Sequence, residues 1–410
     1  MRVGAIITEY NPFHNGHKYQ IETFKKESNL DYIIVIMSGN FTQRGEPAWM
    51  PKHSRTKMAL LGGADLVIEL PLYYATGSAA LFAYGAIAHL NALGCVDELC
   101  FGCESENSFD DLINSLNEAS SILANEPTEY KKYLNYFLQQ GLSFPSAREK
   151  ALTSTMNDTC GLFSPNNILA LEYMTALKKT HSSIVPKPMI RKGPGYHSLE
   201  IEETFASASS IRHQLNEQTL PDAIHGVPET SREIMKSNLF YNFPITLNDF
   251  SLLLGQAYLF NQDRLTEFID INEDIANRMH KFFDTFTNLE NYLSDLKTKS
   301  LTHTRLSRCM IHLLTEQSKE KFKNDTKNGY AHYARVLGFR KKSSELLHYI
   351  KRASSIPLIT KMASYKEVLN EDGVSMIESD IYASNLYRTV IQNKYGNTLK
   401  NEFTEQIVII

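Results

Sequence analysis

The chain has 410 residues, 42% of them hydrophobic, which is enough for a full core and about two domains. Net charge is −4, and the five cysteines are an odd, sparse set that points to a reducing compartment, the cytoplasm being the simplest. No apolar run approaches the ~18 residues of a membrane helix, and the N-terminus enters a strand without the basic-then-apolar layout of a signal peptide, so neither a membrane-spanning nor a secreted protein is expected.

Strand and helix patterns alternate through the first half. Residues 3–7 read as a buried strand, 17–28 as a helix with Ile21 and Phe24 on one side, and 32–37 as a second β-branched run. Residues 51–61 look helical, 66–69 form a third strand, 78–90 a small-residue helix suited to tight packing, and 96–101 a fourth strand followed by Gly102. This order implies an α/β fold with a parallel sheet covered on both faces. Ligands of such sheets sit beyond the carboxyl ends of the strands, so His14–His17, Gly39–Asn40 and Gly102 are expected to converge. Residues 110–149 are polar and helical in pattern, 183–190 are a late strand, and 204–212 open another helix. The character changes past Pro221. From Leu247 onward helical periodicity dominates, which places a boundary near residues 217–228. The expected division is 1–220 for the sheet domain and 221–410 for a mostly helical domain. No internal repeat or low-complexity tract is present.

Charge is unevenly spread. Between Lys297 and Arg352 there are fourteen Lys/Arg against four Asp/Glu. A basic region on an acidic body suits a polyanion. Within it Arg305, Arg308, Arg335, Arg340, Lys341, Lys342, Lys351 and Arg352 interleave with Tyr330, His332, Tyr333 and Phe339, a pattern for phosphates and loose bases.

The chemistry concentrates after the first strand. In His14-Asn15-Gly16-His17, Gly16 removes a side chain where backbone must approach a phosphate. Two imidazoles lie across the join of loop and helix, beside the free N–H groups of a helix start, an arrangement that holds phosphate and the charge developing on it. A second anion grip is read in 204–212, where hydroxyls including Ser209 precede Arg212 by less than a turn. Cys100-Phe101-Gly102-Cys103 has metal or redox spacing, but no second Cys-x-x-Cys exists, so these are read as small core residues and no metal ligands are assigned.

A strand followed by His-x-Gly-His, with a late Ser-Ser-x-Arg, resembles the nucleotidylyltransferase superfamily related to class I aminoacyl-tRNA synthetases. The stretches at 10–17, at 37–47 (Met-Ser-Gly-Asn-Phe-Thr-Gln-Arg-Gly-Glu-Pro) and at 164–169 (Ser-Pro-Asn-Asn-Ile-Leu) are similar to the bacterial tRNA(Met) cytidine acetate ligase family, and the similarity spans the chain. The resemblance implies a Rossmann-like parallel-sheet nucleotidyltransferase domain followed by a mostly α-helical one. It implies an ATP-dependent ligase that activates acetate as acetyl-adenylate and transfers the acetyl group to N4 of the wobble cytidine of elongator tRNA(Met), with Mg2+ on the leaving pyrophosphate.

His14 and His17 would be catalytic. ATP would be contacted by Ile7, Thr8, Glu9, Tyr10, Asn11, Pro12, Phe13, His14, Asn15, Gly16, His17, Lys18, Tyr19 and Gln20, by Gly102, Asn167 and Arg191, and by Ser209 and Arg212. Asn166 reads as a helix cap, and Arg191 as the residue before a Gly193-Pro194-Gly195 loop. Gly39, Asn40, Gln43 and Arg44, which offer amides and a cation, are expected to line the acetate or adenylate pocket. Arg305, Arg308, Arg340, Lys341 and Lys342 are expected to form a tRNA face. A small-molecule adenylyltransferase acting on a phosphorylated metabolite would need no basic helical domain. A non-catalytic RNA-binding protein would need no intact His14, Gly16, His17 and Arg212.

Overall fold

Branched apolar runs form strands here because both faces of the sheet are covered, which rewards continuous burial over alternation. In the computed structural model, which describes residues 1–105, 108–156, 159, 161–191, 206–216 and 226–410, the first half supplies five parallel strands. These are β1 (Val3–Thr8), β2 (Tyr32–Ser38), β3 (Leu66–Leu70), β4 (Glu98–Cys103) and β5 (Val185–Ile190), in the spatial order β5-β4-β1-β2-β3. Register runs from Val3 opposite Tyr32 to Thr8 opposite Met37. Pro186 and Pro188, which cannot donate to a ladder, are tolerated because β5 is the edge strand. The expected α/β fold with a parallel-dominated sheet is what the chain adopts.

The two faces of β1 bury different partners. Val3, Ala5 and Ile7 join Ile34, Ile36, Ala83, Ala86 and Leu90 in one core. Ile6 joins Val35, Met37, Ile21, Phe24 and Met58 in another. The covering helices are α1 (Asn15–Glu27), α2 (Lys52–Leu61) and α3 (Ala79–Leu93), with α4 (Phe109–Asn125) and α5 (Pro165–Lys179) packed outside α3 and β4. In α3 the small residues are required. A Cβ on Gly85 would stand 2.2 Å from the Tyr74 ring. Two further helices matter below, α6 (Ala208–Asn216) and α7 (Glu229–Asn238). The Gly193-Pro194-Gly195 loop, Thr204, Phe205 and Pro221 lie outside the described residues.

Beyond Pro244 helices dominate and enclose a third core, in which Phe250, Leu265, Ile275 and Met279 meet Leu306 and Met310 of α8 (His303–Leu314) and Tyr387 of α9 (Glu371–Tyr395). The sheet nevertheless takes strands from both sides of residue 220. β6 (Ala334–Phe339) pairs antiparallel with β3, and β7 (Leu358–Ile359) and β8 (Val408–Ile409) pair parallel with β6. Sequence patterning does not expose these strands, because β6 is set among basic residues and two-residue strands have no period.

A buried ion quartet locks the junction. Lys52 Nζ lies 2.8 Å from Glu69 and 2.7 Å from Glu402. Arg335 lies 2.9 Å from Glu69 and also pairs with Glu402. Arg335 and Tyr333 are therefore interior, not part of a basic surface: both are almost wholly buried, and Tyr333 Oη donates to Asp380 at 2.5 Å. His332 is buried as well, its Nε2 2.7 Å from Asp325 O.

Candidate active site

The chain leaves β1 through a tight elbow. Tyr10 has a φ of +46°, a left-handed conformation held by packing of its ring 4.9 Å from Phe13 and 4.7 Å from His17. His14 is the N-cap of α1. Its side chain accepts from Gly16 N–H at 3.1 Å, while His17 reaches back and accepts from His14 N–H at 3.2 Å. This is a capping box built from two imidazoles. A Cβ on Gly16 would come within 2.9 Å of the His14 ring, so the residue must be glycine for the box to close.

That hydrogen bonding fixes the chemistry of both rings. In each, Nδ1 is an acceptor, so the single proton of the neutral imidazole sits on Nε2. Burial lowers the pKa of His14 to about 3, with the Arg191 charge adding to the effect. His17 is held well below its ordinary value by burial, then by His14 and Arg191. The rings stack with centroids 3.6 Å apart. Two neutral N–H donors therefore stand at the positive end of a helix, where they can bind phosphate oxygens without titrating near neutrality.

Both histidines line a cleft of about 180 Å³. Its walls are the ends of β1 (Ile7, Thr8), β4 (Phe101, Gly102) and β5 (Met189, Ile190, Arg191), one side of α5 (Asn166, Leu169, Tyr173), Ala206 and Ser207 before α6, and Gly16, Tyr19 and Gln20 of α1. β1 and β4 are the neighbours between which the strand order reverses, where open α/β sheets bind ligands. A Cβ on Gly102 would lie 2.9 Å from the Arg191 side chain. Among the expected ATP residues the cleft thus brings together Ile7, Thr8, His14, Gly16, His17, Tyr19, Gln20, Gly102 and Arg191.

The others stand behind it. Asn11 accepts from Trp49 N–H at 2.7 Å, and its carbonyl accepts from Arg212 at 2.7 Å, so Arg212 holds the elbow. Arg212 also reaches Ser209 Oγ at 3.4 Å. Phe13 and Pro12 pack the loop, Asn15 N–H donates to Gly226 O, and Lys18 pairs with Glu22 on the surface. Asn167 is fully buried and bonds Glu104 and Gly161 backbone.

Asn166 is not the cap of α5, since Ser164 holds that position. Its Oδ1 accepts from Arg191 at 2.7 Å and its Nδ2 donates to Glu104, which aims the guanidinium along the cleft. Sequence reasoning also missed Tyr173. Asn166, Leu169 and Tyr173 are spaced i, i+3, i+7, so one face of α5 lines the cleft and periodicity could have found it. The Tyr173 hydroxyl is buried there with no hydrogen-bond partner among the described residues. Cys95, Cys100 and Cys103 are buried thiols pushed up to about 12 by burial, consistent with core residues.

The loop after β2 follows a strand end but does not line this cleft. Gly39 packs on Glu69, and Asn40 accepts from Lys52 N–H at 3.0 Å. Gln43 N–H donates to the Glu9 carboxylate at 2.7 Å, and its amide donates to Gly77 O. Glu9 is raised by burial, against the opposing pull of that N–H, Arg44 and Arg212. A residue unremarked in the sequence organises all of this. Arg55, wholly buried, donates to the carbonyls of Met50 at 3.0 Å, Glu9 at 2.6 Å, Ser38 at 3.2 Å, and Gly39. It ties the ends of β1 and β2 together.

The five basic residues do not share one face. Arg305 and Arg308 lie on α8, where Ser307 donates to Gly45 O and Arg308 pairs with Asp270 at 3.1 Å. Arg340, Lys341 and Lys342 follow β6, whose Phe339 pairs with Leu66 at the amino end of β3. They follow the end of β6 that lies beside the amino end of β3, the end of the sheet opposite the cleft, because β6 is antiparallel. Among the described residues there is no cluster of three or more His, Cys, Asp or Glu that could hold a metal ion, and none of the described residues lining the cleft is a carboxylate.

The model of the HIGH nucleotidyl transferase family matches residues 1–402. The tRNA(Met) cytidine acetate ligase of Thermoanaerobacter sp. strain X514 is 42% identical over 399 residues, 96% of each chain. That of Acetivibrio thermocellus is 37% identical over the whole of both chains. Two crystal structures of Thermotoga maritima TmcAL, one apo and one bound with alpha-thio ATP, superpose with TM-scores of 0.92 and 0.91 at 30% identity, covering 100% of both chains.

Proposed function

The chain belongs to the HIGH nucleotidyl transferase family, and within it we propose an ATP-dependent tRNA(Met) cytidine acetate ligase. The observation that carries the chemistry is the pair of neutral imidazoles, each accepting a backbone N–H through Nδ1, which leaves Nε2 as the ring's donor, and both lining a cleft at the β1–β4 crossover. ATP lies in that cleft, its phosphates at the mouth of α1 and its adenosine beside Gly102. An acetate oxygen attacks the α-phosphorus, the bond to the bridging oxygen breaks, and pyrophosphate leaves. His14 and His17 donate to the non-bridging oxygens as charge gathers there. Arg191, oriented by Asn166, supplies a full positive charge.

In the second step N4 of the wobble cytidine of elongator tRNA(Met) attacks the acetyl carbonyl. The mixed anhydride bond breaks, AMP leaves, and the N4 proton passes to solvent. The cytosine must be unstacked to reach this point. Arg305 lies on α8, whose Ser307 donates to Gly45 O, and would take the RNA backbone.

The test is incubation with ATP, acetate and unmodified tRNA(Met), followed by mass analysis of nucleosides. N4-acetylcytidine that disappears with His17→Ala supports the reading. AMP transfer to a phosphorylated metabolite without acetylation would replace it with an adenylyltransferase.

A further inference from the structure

A second cleft, of about 370 Å³, shares no lining residue with the ATP cleft. It lies where the start of α2 meets α7, α9 and the segment 399–405. Its walls hold polar groups that the fold leaves unused. Asn242 is 6% exposed, and its Nδ2 donates to Asn238 at 2.8 Å, but its Oδ1 has no partner among the described residues. Arg388 reaches Leu399 O and Asn385 Oδ1 only at 3.5 Å, and its Nε is buried with no partner among them.

Lys57 and Lys400 add ammonium groups to the lining. Of the two carboxylates present, Glu402 is taken up by Lys52 and Arg335, which leaves Glu405 beside Lys400. Phe240 and Tyr241, next to Asn242 in the turn after α7, are 60% and 56% exposed.

An amide edge pairs with a base edge, a carboxylate accepts from an exocyclic amine, and a guanidinium grips phosphate. Exposed rings are stacking platforms for loose bases, and the volume is that of a small-ligand site. We infer that this cleft binds one nucleotide unit, with its base against Asn242 and its phosphate against Arg388, as a subsite separate from ATP.

Such a unit comes either from an unstacked nucleotide of the tRNA loop or from a free nucleoside monophosphate. The geometry favours the RNA, a choice that rests on the ligase reading above. Arg55 bridges the two clefts, holding Glu9 next to Thr8 of the ATP cleft and Gly39 next to Asn40 of the second. A loop presenting one base to the adenylate brings further nucleotides with it, one of which can enter the second cleft.

The test uses the full chain with Arg388→Gln and, because Arg388 also touches Leu399, the surface pair Lys57→Glu/Lys400→Glu. Three quantities are read: ATP–pyrophosphate exchange with acetate and no RNA, affinity for unmodified tRNA(Met), and affinity for CMP and AMP with the ATP cleft filled by a non-hydrolysable analogue. For an RNA subsite, both variants lose at least tenfold in tRNA affinity while exchange is unchanged and neither monophosphate binds. For a free-nucleotide site, a monophosphate binds the parent chain and not the variants, with tRNA affinity intact. Changes under twofold in both affinities for both variants would overturn the inference. If the parent chain exchanges ATP yet acetylates no tRNA, the ligase reading fails by itself, and the monophosphate measurement still decides this cleft.

Discussion

Replacing His17 by glutamine separates its two tasks. At this third position of α1 the ring accepts from His14 N–H at 3.2 Å, a bond worth ~0.5–1.5 kcal/mol. Glutamine is a natural residue at that place in a capping box and can reach back in the same way. It cannot put an N–H where the imidazole Nε2 stands. Losing one such donor in a preorganised site costs ~2.7–4 kcal/mol of transition-state stabilisation, or about 10²–10³ in rate. His17→Gln should therefore keep most of the stability and lose that factor in kcat for ATP–pyrophosphate exchange, with KM for ATP moving less than about tenfold. His17→Ala should lose the same rate and also about 1 kcal/mol in urea unfolding. If His17→Gln exchanges within tenfold of the parent while folded, the donor role is wrong and the ring is only a cap.

Acid should destabilise the chain through the same ring system. His14 is held to about 3 and His17 is also lowered, so below an unfolded pKa of ~6.5 the unfolded chain takes up protons that the native state refuses. Stability is then full above that pH and falls towards pH 3, with His14 alone accounting for about 2 kcal/mol at pH 5. Urea midpoints at pH 5 and 8 check this, and an exchange rate that titrates with an imidazole between those values would contradict it. Tyr173→Phe removes a buried hydroxyl without a partner among the described residues, so the apo protein should be no less stable, and a rise in KM for ATP would show that the nucleotide uses it. Lys52→Met leaves Glu69 and Glu402 sharing only Arg335 and should cost ~3–5 kcal/mol; a loss under about 1 kcal/mol by urea unfolding would mean that Arg335 suffices.

Where a side chain's work is local, the sequence announced it. Strand, elbow and His-x-Gly-His are contiguous, and so are the four apolar runs that make β1 to β4. The roles that escaped depend on distant partners. Asn166 read as a cap until Arg191 was found against it. Arg335 and Arg340 looked alike in a basic stretch, yet one is buried opposite Glu69 and the other lies at the amino end of the parallel strands, because β6 runs antiparallel. Arg55 bonds four carbonyls whose convergence no linear pattern contains. The 39–44 loop followed a strand end as anticipated, but its amides are engaged by the fold, Asn40 by Lys52 N–H and Ser384 Oγ and Gln43 by Gly77 O.

The pairing of β3 with β6 also bears on synthesis. β3 is complete at Leu70, and its outer edge stays open until Phe339 has been made, roughly 270 residues later, or ~15–50 s at bacterial elongation rates. Throughout that interval the nascent chain presents a bare strand edge, apolar except for Glu69, which has Lys52 beside it but lacks its second cation, Arg335. An unpaired edge of this kind is a template for the wrong neighbour. A ribosome-bound fragment ending before residue 334 should therefore depend on chaperones, and translation slowed after β3 should lower the soluble yield.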